Sequence, residues 1–307
     1  MNFQMIKRAA RPEVIVAMAA AIWGLFWVPL RVFESQGLAP AWVILSQFVA
    51  PLVFLAPFAF RQFLLRRPTG IGRFGTGLLV GGGVVMYCES LLITDVVRAL
   101  ILFYAMPAWG TLVEVGLMGR RFTIWRGLSL VLGLAGLAII LGLGASFASA
   151  INIGDLMALV SGIVFTFGAM QVRQASDISV FEQVFAFFFF GTLTALGFSL
   201  IPLTALGRPP AMEKIVALAP WIVLMAVGIL IPAMWGLYWG SRFVDPGRLG
   251  ILLQIEAVVG IGSAAMFAGE PFGSREAAGA ALVIGAGVIE VFGNKGNELA
   301  EEKQPVG

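Results

Sequence analysis

The chain contains no histidine and a single cysteine, Cys88, among 307 residues. Without imidazole there is no histidine base, histidine metal ligand or histidine pH switch. One cysteine excludes an intrachain disulfide and any cysteine-rich metal site, and its place in an apolar run reads as a buried, inert thiol. Charge is equally scarce: Asp, Glu, Lys and Arg make up 12% of the residues, about half the share found in soluble domains. Apolar residues make up 59%, with 38 glycines besides. A soluble protein of this size could not hide that much apolar surface, and disorder and collagen are excluded by the same figures. What remains is an all-α membrane protein. The net charge of +3 is accounted for by basic cytoplasmic loops, so no nucleic-acid partner is implied.

A helix needs about 20 apolar residues to cross a bilayer. Ten such runs are present, near Val14–Val32, Pro40–Phe60, Gly75–Thr94, Ala99–Met118, Trp125–Gly142, Asn152–Val172, Val180–Leu203, Leu218–Gly240, Leu249–Ala268 and Ala277–Gly293. The loops between them are too short for a soluble domain. Lys7, Arg8 and Arg11 resemble the start of a signal peptide, with Ala17-Met18-Ala19 as a cleavage site. Only Val14–Val16 separates Glu13 from that site, so the run reads as a retained first helix. With the N-terminus inside, Lys and Arg divide 15 inside to 5 outside, which predicts ten spans with both termini cytoplasmic.

The sequence also repeats loosely. Arg98-Ala99-Leu100-Ile101-Leu102 returns 150 residues later as Arg248-Leu249-Gly250-Ile251-Leu252. Gly133-Leu134-Ala135-Gly136 returns as Ile284-Gly285-Ala286-Gly287, and Gly119-Arg120-Arg121 stands opposite Gly269-Glu270-Pro271. Two five-span halves follow, residues 1–150 and 151–307. Five is odd, so the halves would be inverted around a central cavity, as in many secondary transporters.

Ionisable residues inside spans cost about 2.5–3.5 kcal/mol on insertion scales and are usually paired or functional. Glu256 lies near mid-depth, with Gly260 and Ser263 on its face. It reads either as a cavity carboxylate for a substrate ammonium or a proton, or as a structural helix linker. Glu89 and Glu114 lie closer to span ends, where an interfacial or structural role is the simpler reading. Asp155, Glu182 and Glu290 lie near interfaces. Trp42, Trp125 and Trp221 open spans, where aromatic belts belong. Trp23, Trp27 and Trp109, with Tyr87 and Tyr104, fall deeper and are either packing or cavity walls. The offset of 150 sets Tyr104 opposite Gln254. Candidate substrate contacts are therefore Trp23, Trp27, Tyr87, Glu89, Tyr104, Trp109, Gln254 and Glu256. Pro29, Pro51, Pro107 and Pro232 interrupt the backbone ladder. Of these, Pro29, Pro107 and Pro232 are candidate hinges. Gly77/Gly81 and Gly236/Gly240 are faces for close helix approach.

Ile22-Trp23-Gly24, Arg98-Ala99 leading to Pro107, and Gly269-Glu270-Pro271 before a glycine-rich last span resemble the drug/metabolite transporter superfamily, EamA type. Within it, the aromatic-rich first half is similar to the YddG-type amino-acid exporters. One departure is Arg120-Arg121, where the family commonly has Gly-Glu. The resemblance implies export across a bacterial inner membrane. On the residues alone, the readings are a secondary transporter of amino acids or organic cations, an integral-membrane enzyme, or a channel-like module. An enzyme would need clustered acids or a nucleophile with its base, and the isolated glutamates form no such cluster. Sugar phosphates are disfavoured because the buried charges are mostly acidic. The expectation is thus a monomeric transporter surrounded by lipid, with no catalytic residue, metal or cofactor.

Overall fold

The computed structural model describes residues 12–65, 72–116, 119, 122–141, 151–174, 178–201, 207–244, 246–269 and 272–301. Among them there are helices and no strands, as the apolar runs demand of a chain with no water to satisfy its backbone. The helices align as ten rods. Rod 1 comprises α1 (Pro12–Gly24) and α2 (Trp27–Ser35), rod 2 is α3 (Pro40–Leu65), and rod 3 is α4 (Gly72–Ile93). Rod 4 comprises α5 (Val96–Phe103) and α6 (Met106–Gly116), and rod 5 is α7 (Ile124–Leu141). Rod 6 is α8 (Ile153–Gln174) and rod 7 is α9 (Val180–Phe198). Rod 8 comprises α10 (Met212–Val223), a π-helical segment (Leu224–Leu230) and α11 (Ile231–Gly240). Rods 9 and 10 are α12 (Pro246–Phe267) and α13 (Ser274–Glu301). Among the described residues, seven of the rods, 1 to 4 and 6 to 8, are long and apolar enough to cross a membrane, and shorter apolar stretches occupy Ile124–Ile140 and Leu252–Phe267.

Three interruptions sit just ahead of prolines. Proline has no N–H to give the carbonyl four residues back, and its ring displaces that carbonyl. Pro29 therefore cannot serve Leu25 O, which accepts from Val28 N at 3.0 Å instead, and rod 1 turns at Leu25–Phe26. Pro107 cannot serve Phe103 O, and rod 4 turns at Tyr104–Ala105. Pro232 cannot serve Gly228 O; the preceding turn widens into the π segment, with Ile231 N bonding Ala226 O. Pro51 and Pro57 lie within α3, which continues past both.

Glycine decides where rods cross. A Cβ on Gly24 would stand 2.6 Å from Glu256 O and 3.0 Å from Gly260 N, so only glycine lets α1 lie on the backbone of α12. Gly162 of α8 meets Phe103 O at 2.7 Å in the same sense. Gly81 closes on Phe187 O, while Gly236 and Gly240 receive Ile15 and Val16. Such contacts replace the hydrophobic drive that lipid removes. Rod 6 packs on rods 3 and 4, and rod 1 on rods 8 and 9. Rod 7 packs on rods 2 and 3, rod 2 touches rod 8, and rod 5 pairs with rod 10. The first helix of rod 4 faces rod 9.

Candidate functional site

The interruption in rod 4 delivers an aromatic and acidic cluster to the meeting of rods 3, 4 and 9. Tyr87 of α4 stacks on Phe103 of α5, with ring centroids 4.2 Å apart and planes at 22°. Phe103 also meets Tyr104 at 5.2 Å and Phe165 of α8 at 5.6 Å, both edge-on. Tyr87 and Tyr104 are both buried. The Tyr104 hydroxyl faces the Tyr87 hydroxyl and the Glu256 carboxylate, yet completes no hydrogen bond within 3.5 Å. Glu256, half-buried on α12, is also within electrostatic reach of Tyr87 and Cys88.

The remaining candidates are distributed around this cluster. Trp23 is buried beside the Gly24–Glu256 crossing, edge-on to Phe26 and Phe187, and its Nε1 has no partner. Glu89 is 1% exposed, and its Oε2 has no partner. Burial of an unpaired carboxylate oxygen is costly. Trp109 is half-buried with its Nε1 unpartnered. Trp27 instead donates to Ser263 Oγ at 3.0 Å, fastening rod 1 to rod 9 beside a groove of about 400 Å³. Gln254 is packed against Gly287 of α13. Of the eight residues, Tyr87, Tyr104 and Glu256 are brought together directly. Among the described residues no group of three His, Cys, Asp or Glu could hold a metal ion.

Trp125 and Trp221 are exposed, and Trp42 is half-buried with its Nε1 unpartnered. The Glu114, Pro107 and Glu290 side chains, and Arg120, Arg121, Glu270 and Pro271 altogether, lie outside the described residues.

One constellation has no counterpart in the sequence reading. Asp155 is 1% exposed and pairs with Arg98 at 2.8 Å. Thr94 Oγ1 donates to Asp155 Oδ1 at 3.0 Å, and Asn152 Nδ2 donates to Thr94 Oγ1 at 2.8 Å. Asn152 and Asp155 also cap the start of α8 reciprocally, each side chain accepting from the other's backbone N–H at 2.9 Å. The Asn-x-x-Asp spacing before an apolar run was the available signal. Gln47 and Thr192, which flank the Phe48–Gly191 crossing of rods 2 and 7, also keep buried polar atoms without partners.

With the rods and cluster in place, comparison with known proteins becomes informative. Residues 11–142 match the model of the EamA-like transporter family. The matched stretch spans rods 1 to 5 and includes Tyr87, Phe103 and Tyr104 of the cluster. A solved crystal structure is similar over 92% of this chain and 98% of its own, with 18% identity and a TM-score of 0.58, a likeness of fold. No curated protein matches the chain.

Proposed function

We propose that this chain is a secondary transporter that exports amino acids, aromatic and other apolar ones among them, and related small metabolites by alternating access. The EamA-like first half supports a membrane transporter. The observation that carries the substrate reading is the Tyr104 hydroxyl facing Glu256 across rods 4 and 9, buried and without a completed bond. A carboxylate and an uncommitted hydroxyl, walled by stacked aromatic rings, suit an ammonium-bearing molecule with an apolar part. In this reading Trp23, Tyr87, Glu89, Tyr104 and Glu256 form the inner contacts. Trp27, Trp109 and Gln254 contribute farther out, and Pro29, Pro107 and Pro232 are the hinges.

The proposal includes ten spans in two inverted halves, 1–150 and 151–307, as a monomer with both termini in the cytoplasm of a bacterium and the chain in its inner membrane. What supports the inversion is the list of rod contacts. Exchanging rods 1 to 5 with rods 6 to 10 maps most of the larger rod contacts onto one another: rod 6 on rods 3 and 4 becomes rod 1 on rods 8 and 9. The glycine crossings exchange too, Gly24 on Glu256 with Gly162 on Phe103. Counterflow of the twenty amino acids in proteoliposomes tests the function. Saturable exchange of several of them is expected, and a phosphorylated sugar that outcompetes them all would reject the site.

A further inference from the structure

We infer that Arg31 and Arg242 are opposed latches, closing the outer and inner ends of the molecule respectively; this rests on the transporter reading above. The packing groups rod 6 with rods 3 and 4, and rod 1 with rods 8 and 9. Close glycine crossings knit each body: Gly24 and Gly240 in one, Gly162 and Gly168 in the other, while between the bodies Gly260 of rod 9 meets the side chain of Leu100 of rod 4. The Tyr87–Tyr104–Glu256 cluster lies where the bodies face each other. At each end an arginine reaches out from the body of rods 1, 8 and 9: Arg31 to the turn between rods 3 and 4, and Arg242 to the turn between rods 6 and 7 and to the start of rod 7.

At the outer end Arg31 of α2 donates from Nη2 to Thr94 O, in the turn between rods 3 and 4, at 3.1 Å. Thr94 is fixed on its own body by Asn152 and Asp155. At the inner end Arg242, in the turn after α11, donates to Ile178 O and, at 3.2 Å, to Gln183 Oε1. Ile178 lies in the turn between rods 6 and 7. Under the exchange of halves these are the same two crossing points with donor and acceptor reversed. Across the gap both arginines hold neutral acceptors; Arg31 also pairs at 3.4 Å with Glu34 of its own helix, a contact that opening leaves in place, so no carboxylate is stranded. Arg98–Asp155 differs: it lies within one body, and breaking it would strand a buried charge. It is a fixed brace, and the carbonyl contacts are the parts suited to release.

Cys88, the chain's one cysteine, is a native reporter: fully buried, and within electrostatic reach of Glu89 and Glu256 in the cluster. The experiment measures its modification by a membrane-impermeant charged methanethiosulfonate, in right-side-out and inverted vesicles, with counterflow in parallel. A hydrogen bond to a charged group shifts a two-state balance by about tenfold or more. Arg31→Gln should therefore raise the outside rate about tenfold and lower the inside rate; Arg242→Gln should do the reverse. Arg31→Lys, which keeps the charge, should lie between wild type and Arg31→Gln. General loosening would raise both rates in both variants, so rates that move together overturn the latch, as does a thiol that responds to neither variant. If Cys88 swings in opposite senses but no solute exchanges, the latch stands and the transport reading fails. If amino acids exchange while Cys88 is unmoved, the reverse holds.

Discussion

Replacing Arg98 with Met isolates what the buried brace contributes. Arg98 and Asp155 are 2.8 Å apart, with side-chain exposures of 10% and 1%. Losing the cation leaves Asp155 with its Thr94 and Asn152 hydrogen bonds but no countercharge. Breaking a buried pair from one side costs about 3–5 kcal/mol, because the stranded charge cannot regain water. At about 2–4 °C per kcal/mol this is a fall in apparent melting temperature of about 10 °C. Arg98→Met/Asp155→Asn removes both charges and keeps an amide that can accept from Thr94. More than half of the loss should return in the double variant. The assay is thermal unfolding of the detergent-solubilised protein followed by size-exclusion fluorescence, run as a double-mutant cycle. A double variant that loses as much as the sum of the two single variants would show that the two side chains are not coupled, and would refute the reasoning.

Other consequences follow from the same geometry. Glu256→Gln should insert and fold normally but cut amino-acid counterflow severalfold, since the amide keeps the shape and loses the charge; normal counterflow with a lowered melting temperature would make Glu256 a helix linker. Gly24→Val places a side chain 2.6 Å from Glu256 O and should cost about 1–3 kcal/mol through overpacking, read as a melting shift. Pro107→Ala supplies an N–H for Phe103 O and should straighten rod 4, raising the melting temperature while slowing exchange. Reporter fusions after residue 35 and at the C-terminus should read outside and inside, and an outside C-terminus would end the ten-span topology.

The sequence reveals most where physics acts locally. Apolar run length locates the rods because lipid forbids anything but helix, and Pro29, Pro107 and Pro232 announce interruptions because a missing N–H acts four residues back. Rod order along the chain hides which body each rod joins: rod 6 leaves the second half to pack on rods 3 and 4, a choice made by Gly162 and Gly168 in space. The Arg98–Asp155 brace joins residues far apart in the chain, so each alone reads as an interfacial charge. Glu89 lies near the end of α4 in the sequence, yet the surrounding rods cover that end and bury it. Gln254, paired with Tyr104 by the 150-residue offset, packs on Gly287 of α13, and it is Glu256, two residues on, that the Tyr104 hydroxyl faces.

We propose that the cluster of Tyr87, Tyr104 and Glu256 moves an ammonium-bearing solute across the membrane. Counterflow in proteoliposomes, with wild type and Glu256→Gln side by side, is the decisive assay. Wild type should show saturable exchange of apolar amino acids, with a severalfold loss in the variant at equal incorporation. Exchange that is absent for every amino acid and organic cation in wild type would contradict it.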